Sequence, residues 1–349
     1  MTTDRPIRVA VLGAGGLGKA AAQIIGLKRE VILTAICDSR GIVWSEESLD
    51  TDAVVSLTGD LVDGYQAHQR PRTTTDHRGV ALATRVEARH CDDPIGEMIR
   101  RADVLDGVLV ALPNLPNDFI PSVIERFATG GSSLAFVDVL KRTRAVQYLF
   151  ALDSPVSRSR SVVLTGCGAT PGTLAAAAVL AAQSFVEVEK VDIWWGVGIA
   201  NWEAYRATIR EDIAHLPGYT VERAKAMTDS DVDALLEQTN GRLELRQMEH
   251  ADDVLLQRVG VVDRLEQVEV GGVMDTRHAK KPVSTTMTLT GITHDGHRSR
   301  HTFILGDETT MAANVIGPAL GYLKRALWLK AHGLFGVFGC TEFLPMVVR

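Results

Sequence analysis

The stretch from Ile7 to Asp38 constrains this chain most. It opens with the short apolar run Ile7-Arg8-Val9-Ala10-Val11-Leu12, the pattern of a buried strand. That run enters Gly13-Ala14-Gly15-Gly16-Leu17-Gly18, a complete G-x-G-x-x-G. A helix-forming run follows from Lys19 to about Leu27, then the β-branched run Val31-Ile32-Leu33-Thr34-Ala35-Ile36, then Asp38, 20 residues past Gly18. Gly13 permits a tight turn, Gly15 leaves room for a pyrophosphate against the backbone, and Gly18 allows close packing of helix on strand. Free N–H groups at the helix start, aided by the helix dipole, suit phosphate. An acid at the tip of the second strand suits an adenosine ribose. The expectation is a dinucleotide site, with NAD(P)H as cofactor and Gly13, Gly15, Gly16, Leu17 and Gly18 on its phosphates. Asp38 repels a 2′-phosphate while Arg40 attracts one, so Asp38-Ser39-Arg40 leaves NAD and NADP both open.

Length and composition set the frame. A chain of 349 residues suggests two domains, and 46% hydrophobic residues can supply their cores. A net charge of −6 gives no reason to expect nucleic acid or an anionic membrane as partner. The four cysteines, Cys37, Cys91, Cys167 and Cys340, lie far apart, with no C-x-x-C, so neither a zinc site nor a disulfide framework is expected. The N-terminus runs straight into the first strand, with no signal peptide pattern. The Ala-rich stretch Leu174 to Ala182 is too short to span a bilayer. These features predict a cytoplasmic protein.

Along the chain, apolar runs alternate with helical spacing. Residues 41–78 read as an irregular excursion with short helices near Thr51 to Val55 and Gly59 to Gln69, and Val80 to Thr84 reads as a strand. Val104 to Leu112 reads as a central strand ending in Leu112-Pro113-Asn114, a loop expected near the nicotinamide half of a cofactor. Ser133 to Val139 is the next strand, followed by Leu140-Lys141-Arg142, and Val162 to Thr165 leads into Gly166-Cys167-Gly168-Ala169-Thr170-Pro171-Gly172. This alternation predicts an α/β fold with a Rossmann-type, doubly wound parallel sheet over residues 1–170. After about Phe185 the texture changes. Long strands at Val188 to Ile199 and Val283 to Thr293, with an Asp-Gly hairpin at Asp295-Gly296, predict a second α+β domain with a mixed or antiparallel sheet over 171–310. Thr309 to Lys330 reads as one long helix, broken at Gly317-Pro318. With the tail to 349 it is expected to pack back on the first domain.

Two segments carry a family resemblance. The Pro-Gly-ended turn Gly166 to Gly172 and the tail Phe338-Gly339-Cys340-Thr341-Glu342-Phe343-Leu344-Pro345 resemble the saccharopine dehydrogenase (saccharopine reductase) family. Cys37-Asp38-Ser39-Arg40-Gly41-Ile42-Val43, followed by Ser48-Leu49-Asp50, is similar to homoserine dehydrogenase. Both resemblances imply an NAD(P)-dependent oxidoreductase with a nucleotide domain ahead of a mixed-sheet substrate domain, acting as a homodimer on an amino-acid-like substrate. The first implies hydride transfer at an imine carbon. The second implies reduction of a semialdehyde.

The chemistry needs a general acid near the strand ends. Lys141 is the candidate, with Asp138 to orient it; the homoserine dehydrogenase resemblance implies a lysine after this strand. A substrate carboxylate calls for cations, preferably Arg. The second half offers Arg206 and Arg210, one helical turn apart, and Arg277 with His278. Gly166 and Cys167 are expected beside the cofactor. Cys167 also opens a rival route, a thioester-forming semialdehyde dehydrogenase with its thiolate as nucleophile. A fourth reading is a non-catalytic cofactor-binding regulator.

Overall fold

The computed structural model describes residues 5–68, 75–81, 85–114, 116–199, 206–306 and 311–349. Contacts divide the chain into two units. One comprises Met1–Leu140, Arg144–Gly168 and Val315–Arg349; the other comprises Lys141–Thr143 and Ala169–Asn314.

The first unit begins with β1 (Ile7–Leu12), α1 (Gly16–Leu27) and β2 (Val31–Cys37). Residues 41–44, read as irregular, form β3 (Gly41–Trp44). Short helices α2 (Thr51–Val55) and α3 (Leu61–His68) follow, then β4 (Glu87–His90), α4 (Pro94–Arg100), β5 (Gly107–Val110) and α5 (Phe119–Thr129). Next come β6 (Ala135–Asp138), α6 (Thr143–Ala151), α7 (Asp153–Arg158) and β7 (Val162–Thr165).

β2, β1, β5, β6 and β7 form a parallel core in that order, with β3 and β4 added antiparallel beyond β2. The expected Rossmann-type parallel core is present, and the antiparallel β3 and β4 make the whole sheet mixed. β3 escaped the sequence reading because it has only four residues, whose register across β2 is fixed by pairing rather than by local pattern. The expected strand Val80 to Thr84 lies partly outside the described residues; within them, Thr75 and Ala81 form an isolated bridge. The core strands are apolar on both faces, as strands covered by helices must be. Phe127 of α5 meets Phe136 of β6 edge to face, ring centroids 5.2 Å apart.

The second unit holds α8 (Thr173–Ala182), β8 (Glu187–Gly198), α9 (Arg206–Ile213), α10 (Val221–Ala226), α11 (Asp229–Gln238) and β9 (Arg242–Leu245). It continues with α12 (Asp252–Arg258), β10 (Val268–Asp275), β11 (Thr285–Ile292) and β12 (Arg298–Leu305). Its five strands run in the order β12, β11, β8, β10, β9, with only β8 and β10 parallel. β11 alternates buried and half-buried residues, the signature of a sheet with one covered face.

The chain then returns to the first unit. α13 (Met311–Ala331) runs through Pro318 without the break expected there, and β13 (Gly336–Gly339) adds parallel to β7 at the edge of the sheet. The sequence reading assigned no strand to this tail. Among the described residues, no helix is long and apolar enough to cross a membrane.

Candidate active site

In the second unit, charged side chains gather around Lys141 and Arg142. Lys141 Nζ donates to Asp212 Oδ1 at 2.7 Å and lies 3.6 Å from Glu211 Oε2, both carboxylates on the last turn of α9. Arg142 donates to Glu249 Oε2 at 2.6 Å and lies 3.7 Å from Glu211. Lys141 is half-buried, whereas Arg142, Glu211 and Asp212 are buried.

The segment before α12 fixes this lysine from behind. Glu249 takes Arg142, the Ala251 N–H donates to the Lys141 carbonyl at 2.8 Å, and Asp253 accepts from Thr143 Oγ1 at 2.9 Å. The two intervening residues pair with each other: His250 Nδ1 stands 2.7 Å from Asp252 Oδ2. Thr170 Oγ1 donates to that same Oδ2 at 2.6 Å. The His250–Asp252 contact is one of charge and distance, not a hydrogen bond aligned on the ring N–H.

Burial works against the charge on Lys141, but Asp212 and Glu211 outweigh it and raise its pKa above the ordinary lysine value. Burial, with Glu211 beside it, holds the Asp212 carboxyl above its usual range despite the ammonium. The lysine shift governs, because two carboxylates face one amine. His215, one turn past α9, is pushed down to about 4 by burial and by the positive charge of Lys141 and Arg142, so its ring is neutral at pH 7. The cluster thus holds Lys141 as a fixed positive charge between buried carboxylates, beside a neutral imidazole.

Asp138 does not orient Lys141 through any of the bonds it makes in the first unit. Its Oδ1 accepts from Leu140 N at 3.0 Å, Thr165 Oγ1 at 2.9 Å and Gly166 N at 2.9 Å, tying the exit of β6 to the exit of β7. Burial pushes its carboxyl up to about 6, against the pull of those three donors.

The remaining expected residues of the first unit line one edge of its sheet, where the parallel strands end. Gly13 has φ +108°, and a Cβ there would meet the Ala111 carbonyl oxygen at 2.4 Å. A Cβ on Gly18 would lie 1.9 Å from the Gly13 oxygen, while Gly15 opens onto free space. Gly16 and Leu17 begin α1. Asp38 caps its own loop: Oδ1 accepts from the Arg40 and Gly41 N–H groups and Oδ2 from that of Leu61, while Ser39 and Arg40 are exposed. Leu112, Pro113 and Asn114 form the loop after β5. Gly166 follows β7 with φ +71°. Cys167 is fully buried, and burial raises its pKa well above the ordinary thiol value. A thiol so placed is inert, which corrects its reading as a thiolate nucleophile.

The expected carboxylate-binding residues are engaged elsewhere in the second unit. Arg206 and Arg210 both pair with Asp229, at 2.8 and 2.5 Å. Arg277 reaches Glu237 and Asn240, and His278 closes a turn on Asp275. Residues that sequence reasoning missed are Glu211, Asp212, His215, Glu249, His250, Asp252 and Asp253. The signal available was the dense charge of Arg210-Glu211-Asp212 and Glu249-His250-Ala251-Asp252-Asp253, but only folding buries it.

No family model matches the chain. It is 43% identical over 349 residues to the (S)-8-amino-7-oxononanoate synthase BioU of Haloferax mediterranei, covering 97% of this chain and 99% of the relative. Among solved structures it resembles an engineered D-amino acid dehydrogenase bound to NADP+, with TM-score 0.52, 15% identity, and 97% of this chain and 94% of that one covered. It also resembles the DAP dehydrogenase of C. glutamicum in complex with DAP, with TM-score 0.51, 15% identity and the same coverage. Likeness at that identity shows the Rossmann-type fold alone.

These findings correct several expectations. The relative is a synthase, so the saccharopine and homoserine dehydrogenase resemblances, the hydride-transfer and thioester chemistries and the non-catalytic regulator give way. The expected NAD(P)H goes with them: it rested on a glycine turn common to many folds, and the synthase's name implies no nicotinamide. What the likeness supports is an enzyme, and the chain belongs to the BioU family.

Proposed function

We propose that this enzyme forms (S)-8-amino-7-oxononanoate, the compound in its relative's name, at the cluster around Lys141. The observation that carries the reading is 43% identity across 97% of the chain. The compound has an amine next to a ketone at one end of its chain and a carboxylate at the other. The Lys141 ammonium suits the oxo group, as hydrogen-bond donor and fixed positive charge. Asp212 accepts the Lys141 hydrogen bond and fixes the ammonium, and Glu211 offers a second negative charge to the amine beside the ketone. Arg142, bound to Glu249 and close to Glu211, keeps these buried carboxylates compensated.

An enzyme that forms a compound also binds it. Authentic (S)-8-amino-7-oxononanoate should raise the unfolding midpoint of the purified protein, the stabilisation amounting to about 2.7 kcal/mol at one hundred times its Kd. Calorimetry should detect that binding in wild type and a Kd at least tenfold weaker in Lys141→Met. Absence of binding, or equal binding by Lys141→Met, would overturn the reading.

A further inference from the structure

The sheet of the second unit ends on an uncovered strand. β12 is the outermost strand, and among the described residues none pairs with its free side. From Arg298 to Ile304 every residue is exposed except the half-buried His301. The register against β11 is unbroken, from Thr285 opposite Leu305 to Ile292 opposite Arg298. Just beyond it, the Thr293 N–H donates to the His297 carbonyl at 2.9 Å. Opposite pairs in an antiparallel ladder alternate between those that exchange backbone hydrogen bonds and those that do not. Counting from the 293–297 pair, Ser299, His301, Phe303 and Leu305 turn their backbone groups toward β11. Arg298, Arg300, Thr302 and Ile304 turn theirs outward. The Thr288 and Thr302 hydroxyls, 2.9 Å apart, fit that phase, because side chains approach most closely in the pairs without backbone bonds.

An edge of this kind is a template for another strand unless something blocks it. β12 contains no proline, and its pairing with β11 contains no bulge. Its charge is confined to one half: Arg298 and Arg300 lie near the start, and Phe303-Ile304-Leu305 closes the strand. Phe303 is 39% and Ile304 63% exposed. A parallel copy of this strand in register would set arginine beside arginine. An antiparallel copy sets the charged half across from the apolar half. Turned about His301, Arg298 faces Ile304 and Arg300 faces Thr302. In that register every outward residue meets another, and no arginine stands directly opposite an arginine.

We propose that two copies of this chain pair through β12, antiparallel about His301, joining their second-unit sheets edge to edge. The pairing is separate from the Lys141 chemistry and holds or fails without it.

Sedimentation velocity of the full chain at micromolar concentration should give twice the mass of one chain. Hydrogen exchange should be slow across residues 298–305 and quicken on dilution. Thr302→Pro removes an outward N–H that β11 does not use, and should weaken the pair tenfold or more. Thr302→Val keeps that N–H and should leave the pair intact. Ile304→Lys sets a cation opposite Arg298 of the other copy and should weaken the pair tenfold or more, whereas Ile304→Glu, facing the same arginine, should hold it at wild-type strength or better. Unfolding midpoints near wild type show that the variants fold; where Thr302→Pro does not, the two Ile304 variants carry the test. A wild-type chain that stays single, a pair untouched by Thr302→Pro, or equal loss in Ile304→Lys and Ile304→Glu would overturn the proposal.

Discussion

Asp138→Asn tests the ionisation of a fully buried carboxyl in the first unit. Asp138 is fully buried, one oxygen accepts three hydrogen bonds, and the other has no partner among the described residues. Burial lifts its carboxyl to about 6, from 3.8. A carboxyl raised in the folded state costs stability once the unfolded chain ionises first. The cost grows as pH rises from about 3.8 to about 6 and is constant above. With those two values it is roughly 1.6 kcal/mol at pH 5 and about 3 kcal/mol at pH 8. Asparagine keeps an oxygen for the three donors and removes the charge. Its NH2 group takes the place of the unpartnered oxygen, at a cost of about 1–3 kcal/mol that does not vary with pH. The difference between pH values cancels that cost. Urea denaturation should therefore find the variant better placed against wild type at pH 8 than at pH 5, by about 1.4 kcal/mol. An offset below about 0.3 kcal/mol, or one of opposite sign, would refute a buried carboxyl destabilised by desolvation.

Other outcomes follow from the same structure. Lys141→Met should abolish turnover and, by leaving Asp212 and Glu211 without their ammonium, destabilise the protein by about 3 kcal/mol; adding Asp212→Asn should return a good part of that in thermal unfolding. His215, pushed down to about 4 from 6.5, makes stability fall as pH drops through that window, because the unfolded chain takes the proton first. His215→Gln should flatten the fall by about 2 kcal/mol, the ring's partial exposure having been discounted. Gly18→Ala should be severely destabilising, since its Cβ would lie 1.9 Å from the Gly13 oxygen, whereas Gly15→Ala should keep wild-type stability, because nothing lies within 4 Å of its Cβ; circular dichroism melts separate the two.

Much of the architecture is local chemistry written along the chain. Unbroken apolar runs such as Val9–Leu12 and Val108–Val110 have no face for water, and glycines at 13 and 18 meet backbone where any Cβ would clash, so strand, turn and helix follow from residue type and spacing alone. β3 and β13 were not legible in this way, because four-residue strands take their identity from the neighbour they pair with. Lys141 stood out in the sequence by its place after a strand. Its partners did not: Asp212 lies 71 residues away and Glu249 lies 107 residues from Arg142. Charge density marks such residues in sequence, but a solvated acid and a buried one are spelled alike. Burial, which strips water from a carboxylate and so decides whether it is a surface charge or a proton acceptor, is made only when distant segments pack together.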